Sequence, residues 1–359
     1  MFLGLDLEYW LVNHPTIRNF SWIQGKTLGS SPLFLCFTIL SYLFTTYILP
    51  NRIPLPSIPA QIMKPILALH NISLLLLSFI MALGCLLSSF YHAPHLHWII
   101  CLPPHTEPTG PLFFWAYIFY LSKILEFMDT LLIILTNSIQ RLTFLHVYHH
   151  STVVVMCYVW LQTSQTLFPA VLFTNASVHV LMYAYYLSCA LGVRPRWKKV
   201  VTNVQIMQFY SSFVVLGVML FYHFTGSGCS GVWGWIFNVV FYASLLALFV
   251  DFHKKSYGAS ASSKKNLVGA NKPSKPFFHS NHTHNSNRHL FVTVRCRVRQ
   301  YHPHASGVAH HRVALGSCVQ NSSMSQYMLS FLSSMGSGVF TAFSAAAIPG
   351  KHSSTPAMS

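Results

Sequence analysis

A chain of 359 residues in which 53% are hydrophobic and only 8% charged is not an ordinary soluble domain, because such domains carry charge on about a quarter of their residues. The formal net charge of +16 resembles a nucleic-acid signature, but it is unevenly placed: residues 1–253 hold ten Lys/Arg against six acids, and residues 254–359 hold twelve and no acid. The basic excess therefore belongs to a tail, which a membrane surface with anionic headgroups accommodates, and no nucleic-acid partner is implied.

In chain order, residues 1–32 open with Asp6 and Glu8 and lack the basic start and apolar core of a cleavable signal peptide. Apolar stretches then recur near 33–49, 66–90, 113–136, 144–161, 167–191, 205–222 and 232–252, each of a length suited to crossing a bilayer. The expected fold is an all-α integral membrane protein, about seven transmembrane helices bundled around an enclosed site over residues 33–253. Alternate loops carry Arg52 and Lys64, Arg141, then Arg194, Arg196, Lys198 and Lys199, then Lys254 and Lys255, whereas loops 91–112, 162–166 and 223–231 carry no Lys or Arg. Positive loops stay cytoplasmic, so the N-terminus is expected in the lumen or exterior and the tail in the cytosol. Residues 254–359, rich in Ser, His, Asn and Lys, are expected to be largely disordered. A weak apolar run at 327–348, broken by Gly336 and Gly338, is a poor candidate for an eighth span.

The eight cysteines show no CxxC spacing, which speaks against a zinc site. Cys101 and Cys229 both fall in loops assigned to the lumenal side, where oxidising conditions favour a disulfide between them.

Four consecutive spans carry polar groups that a bilayer interior penalises. The third contains KILEFMDT, with Lys123, Glu126, Asp129 and Thr130 at offsets that a straight helix gathers within about a third of its circumference. Ionised groups in hydrocarbon must pair or line a wet cavity, and a structural Lys123–Glu126 pair would satisfy the first option. The fourth contains HVYHH: His146, His149 and His150 share one helical face. One buried histidine is ordinarily a hydrogen-bonded structural residue; three within five positions point to a shared site, whose role as nucleophile, base or ligand the motif leaves open. The fifth contains NASVHVLMYAYY, where Asn175, His179, Met182, Tyr183 and Tyr186 form a helical stripe that is either packing or a pocket wall. The sixth opens with TNVQIMQF, in which Gln205 and Gln208 suit interhelical hydrogen bonding or substrate contact equally.

These four motifs, in this order, resemble the signature of the ELO family of very-long-chain fatty-acid elongases over roughly residues 30–255. The resemblance implies a seven-helix protein of the endoplasmic reticulum with a lumenal N-terminus. It implies the first step of elongation: acyl-CoA and malonyl-CoA condense to a 3-oxoacyl-CoA with release of CO2 and CoA. His149 would be the nucleophile, taking the acyl group as an acyl-imidazole, and His179 would lie across the pocket near the malonyl unit. His179, Asn175 or His150 would donate to the enolate, while Lys123, Glu126, Asp129 and His146 would organise the box. Tyr183, Tyr186, Gln205 and Gln208 would contact substrate, and Arg194 and Lys198 would meet CoA phosphates, although topology alone also puts those charges there. No tightly bound cofactor or metal is implied. Expected partners are the reductases and dehydratase of the elongation cycle, membrane lipid and a second copy of the chain; supply of sphingolipid precursors is a further expectation. Elongases of this kind commonly end soon after the last span with a lysine-based retrieval signal, whereas here residues 256–359 follow. That departure bears on localisation more than on activity.

Two other readings compete. A metal-dependent membrane desaturase or hydroxylase needs histidine ligands spread over several boxes, but the membrane body offers one HxxHH, His179 and scattered singles such as His70. A transporter or receptor would use buried charges as an ion path, but would not explain the ordered motifs.

Overall fold

The computed structural model describes residues 6–52, 58–93 and 95–258. The chain divides into units Met1–Ala259 and Ser260–Ser359; the second lies outside the described residues, as do the weak run at 327–348 and the expected disordered tail apart from Lys254–Gly258, which is helical. Among the described residues there is no β-strand; a lone antiparallel bridge joins Ser21 to Thr109. The principal helices are α1 (Pro32–Arg52), α2 (Ala60–His92), α3 (Pro111–Leu125), α4 (Phe127–Leu135), α5 (Phe144–Thr163), α6 (Phe168–Ala190), α7 (Lys198–Thr225) and α8 (Val232–His253).

Five of the seven expected spans are long and apolar enough to cross a membrane: Pro32–Pro50, Ala60–His92, Phe168–Ala190, Lys198–Thr225 and Val232–Ser256. The chain is a multi-pass membrane protein. The other two expected spans are helical but differ from the other five. The stretch 113–136 is split between α3 and α4, and α5 is diluted by its three histidines. α2 runs for 33 residues and α7 for 28, more than the roughly 20 that a hydrocarbon core needs.

Helix contacts close a circuit. α2 packs on α3 and, most extensively, on α6; α3 packs on α5, α5 on α8, α8 on α7, and α7 back on α6. α1 stands against α4 and α5. Gly84 lets α2 approach α3, since a Cβ there would come within 2.1 Å of the Trp115 ring. The indole of Trp115 then donates to the carbonyl of Leu11, tying the N-terminal segment to the bundle. The outer face of α7 shows Met207, Val214 and Phe221 exposed at seven-residue spacing, as a lipid-facing stripe requires.

One end of the circuit is laced by loops. Cys101 and Cys229 form a disulfide across 128 residues of sequence, with Cα atoms 5.1 Å apart. Beside it, Ser230 N–H donates to Leu102 O at 2.9 Å, and Thr166 Oγ1 accepts from Leu102 N–H. Gly231, at φ +73°, starts α8 where a Cβ would lie 2.5 Å from Gln165 Cα.

Candidate active site

The break between α3 and α4 is the first departure from a straight-helix reading. Neither Pro nor Gly marks it. Ser122 Oγ donates back to Phe119 O at 2.8 Å, and Asp129 N–H closes on Glu126 O at 3.0 Å, an i to i+3 contact that tightens the chain by one residue. The backbone at Glu126 stays helical, at φ −62° and ψ −13°, and Lys123, Glu126, Asp129 and Thr130 take different partners from this one stretch.

Lys123 Nζ lies 2.7 Å from Glu126 Oε1, and both side chains are buried, with relative exposures of 1% and 2%. The ammonium also sits 4.3 Å from the Phe119 ring centroid, a cation–π contact that offsets part of its desolvation. His179 Nδ1 approaches the same Glu126 oxygen at 3.3 Å, without the alignment of a hydrogen bond. Asp129 turns instead to His70 Nε2 on α2, at 2.8 Å from Oδ1, and accepts the Tyr183 hydroxyl at 2.8 Å on Oδ2. Thr130 Oγ1 meets His146 Nε2 at 2.8 Å and the Tyr42 hydroxyl at 3.2 Å.

The histidines of α5 are positioned from the helix start. Thr143 caps the helix, its Oγ1 accepting from His146 N–H at 3.3 Å, and this sets the register of the three rings. His146 and His150 have ring centroids 4.3 Å apart, and His149 meets His150 edge to face at 5.2 Å. Lys123, Glu126, His179 and His146 all lie within electrostatic range of His149. On α6, His179 and Tyr183 stand one turn apart with rings 5.7 Å between centroids, and Tyr186 continues the stripe at 6.1 Å from Tyr183.

Several buried atoms here have no hydrogen-bond partner: Glu126 Oε2, His150 Nδ1, Asn175 Oδ1, His179 Nδ1 and Gln208 Nε2. A buried polar atom left unpaired costs about 1–3 kcal/mol. Further unpaired buried atoms lie at Ser88, Thr152, Trp160, Gln165, Trp235 and Asn238, so this feature is not confined to the histidine region.

Other sequence-selected residues stand further out. Gln205 donates to Met182 Sδ at 3.6 Å, an α7–α6 contact rather than an open amide. Arg194 and Lys198 are exposed on the segment leading into α7. The Arg141 guanidinium lies 6.0 Å over the Tyr186 ring. Sequence reasoning left His70 among the scattered histidines and passed over Tyr42. An ionisable side chain within an apolar span, such as His70, was the available signal. Among the described residues, no group of three or more His, Cys, Asp or Glu side chains is arranged to hold a metal ion.

The chain is similar in sequence to known proteins. Fatty acid elongase A of Dictyostelium discoideum is 34% identical over 260 residues, covering 70% of this chain and 92% of that protein. Fatty acid elongase 3-like of Arabidopsis thaliana is 26% identical over 276 residues, again covering 70% and 92%. Very long chain fatty acid elongase 5 of Mus musculus is 36% identical over 154 residues, 41% of this chain and 49% of that protein. The family model described as ELO: GNS1/SUR4 family matches residues 27–266. That match takes in the charged break, the imidazole box and the α6 stripe together, and it makes this chain a member of the ELO, or GNS1/SUR4, family.

Proposed function

We propose that this chain elongates fatty acids by condensing a long-chain acyl-CoA with malonyl-CoA to give a 3-oxoacyl-CoA, CO2 and CoA. The relatives named as fatty acid elongases support elongation. The observation that carries the chemistry is the buried Lys123–Glu126–His179 group, within electrostatic range of His149 and His150, inside a closed circuit of helices.

In this reading a ring nitrogen of His149 attacks the acyl thioester; a C–N bond forms, the C–S bond breaks, and CoA leaves as the thiol after taking up a proton. Malonyl-CoA then binds, and its C–C bond to the carboxylate breaks to release CO2 and leave an enolate. The enolate carbon attacks the acyl-imidazole carbonyl, the C–N bond breaks, and the departing His149 nitrogen takes up a proton from solvent, so the histidine is regenerated. His179 and His150, each with a buried unpaired ring nitrogen, are suited to donate to the thioester oxygen where negative charge develops, and Asn175 would do so through its amide Nδ2. Lys123 and Glu126 place charge beside His179, and Thr130 holds His146. Gln208 and Tyr186 would contact substrate from α7 and α6, and Arg194 and Lys198 would meet CoA phosphates. The reaction balances without a tightly bound cofactor. We place the protein in the endoplasmic reticulum membrane, N-terminus lumenal, passing its product to the reductases and dehydratase of the cycle.

Detergent-purified protein incubated with labelled malonyl-CoA and a panel of acyl-CoAs yields 3-oxoacyl-CoA detectable by mass, and the panel reports the preferred chain length. His149→Ala yields none while its thermal unfolding stays cooperative. Undiminished turnover in that variant removes His149 as nucleophile; absence of product from well-folded wild type removes the reaction.

A further inference from the structure

Both oxygens of Asp129 are occupied, and neither partner belongs to the imidazole box. His70 Nε2 on α2 holds Oδ1 and the Tyr183 hydroxyl on α6 holds Oδ2, each at 2.8 Å. Tyr183 is fully buried, and the His70 and Asp129 side chains are exposed by only 11% and 18%. Three helices thus meet at one carboxylate, and the α2–α6 pair that frames it is the most extensive in the bundle.

A carboxylate gripped at both oxygens has a fixed plane. Without one grip it turns toward the donor that remains. Loss of His70 frees Asp129 to rotate, and the Tyr183 hydroxyl moves with it. Tyr183 presents its ring to His179 at 5.7 Å, and His179 faces Glu126 through an unaligned 3.3 Å contact that does not hold the ring by itself. On α5, His146 is secured separately, its backbone N–H by the Thr143 cap and its Nε2 by Thr130, and neither contact runs through His70 or Tyr183.

We infer that His70 is a positioning residue for the α6 half of the site: through Asp129 and Tyr183 it sets His179 for the condensation step and leaves acylation of the α5 box untouched. This rests on the proposed condensing function and assigns the two helices to its two steps. Simple helix–helix adhesion by His70 would disturb both steps together.

The test separates the steps in full-length protein. Acylation is read as CoA release in a single turnover without malonyl-CoA. Condensation is read as CO2 and 3-oxoacyl-CoA formed once malonyl-CoA is added. His70→Leu is expected to slow condensation about 10- to 100-fold, the weight of a lost hydrogen bond to a charged group, with acylation changed by less than about twofold. His70→Gln, which returns an N–H donor near the position of Nε2, is expected to recover most of the condensation rate. Equal loss of both steps, unchanged condensation in His70→Leu, or no recovery in His70→Gln overturns the assignment. Wild-type protein that makes no product overturns the condensing function itself, and this inference with it.

Discussion

His179 on α6 and Glu126 at the α3–α4 break face each other at 3.3 Å, while the oxygen they share is also held by Lys123 Nζ at 2.7 Å. One turn further along each element the relationship repeats with Asp129 and Tyr183. Two carboxylates three residues apart thus address two α6 side chains four residues apart, and the one-residue break matches these spacings.

Removing one member of the Lys123–Glu126 pair leaves a buried charge without its partner. Glu126→Gln is expected to destabilise by about 3–5 kcal/mol, whereas Lys123→Met combined with Glu126→Gln costs less than Glu126→Gln alone. Denaturation in detergent measures both, and a double variant at least as unstable as Glu126→Gln contradicts the pairing.

Thr130 reaches both His146 Nε2 and the Tyr42 hydroxyl, so its side-chain oxygen ties α1 and α5 to α4. Thr130→Val keeps the shape and removes that oxygen; turnover is expected to fall about tenfold, with Thr130→Ser close to wild type. Equal activity of the Val and Ser variants shows that the hydrogen bond is idle.

A methyl group at Gly84 has no room beside Trp115, its Cβ lying 2.1 Å from the ring. Gly84→Ala is expected to cost about 1–3 kcal/mol by forcing α2 and α3 apart, and pairing it with Trp115→Leu should restore part of the loss. Unaltered thermal unfolding of Gly84→Ala contradicts the close approach.

The Cys101–Cys229 bridge closes a long segment of chain. Cys101→Ser, Cys229→Ser and the double variant are expected to lose the same stability, about 2–4 kcal/mol. Thiol labelling of wild type should reveal two further reactive cysteines after denaturation with reductant compared with denaturation alone; identical labelling shows that no bridge exists.

The long apolar stretches were readable because a bilayer demands them whatever the neighbours are, and the polar motifs stood out because hydrocarbon makes such residues costly. The boundaries were less readable. α7 begins at Lys198, well before the apolar stretch near 205–222, because a helix continues past the lipid wherever its backbone stays satisfied. The tightened turn at Glu126 within KILEFMDT was hidden for a related reason: no Pro or Gly announced it.

From residue order alone came the all-helical membrane architecture, the alternation of loops that puts Cys101 and Cys229 on one side, and the four segments that carry polar groups. Each is a local property, set by how a segment partitions between water and lipid. Which polar group meets which was decided only by the tertiary structure. Glu126 takes Lys123 and His179, Asp129 takes His70 and Tyr183, and Thr130 takes Tyr42 and His146. Partition pushes every one of these side chains inward alike; only helix packing and a one-residue break determine which of them come within hydrogen-bonding distance.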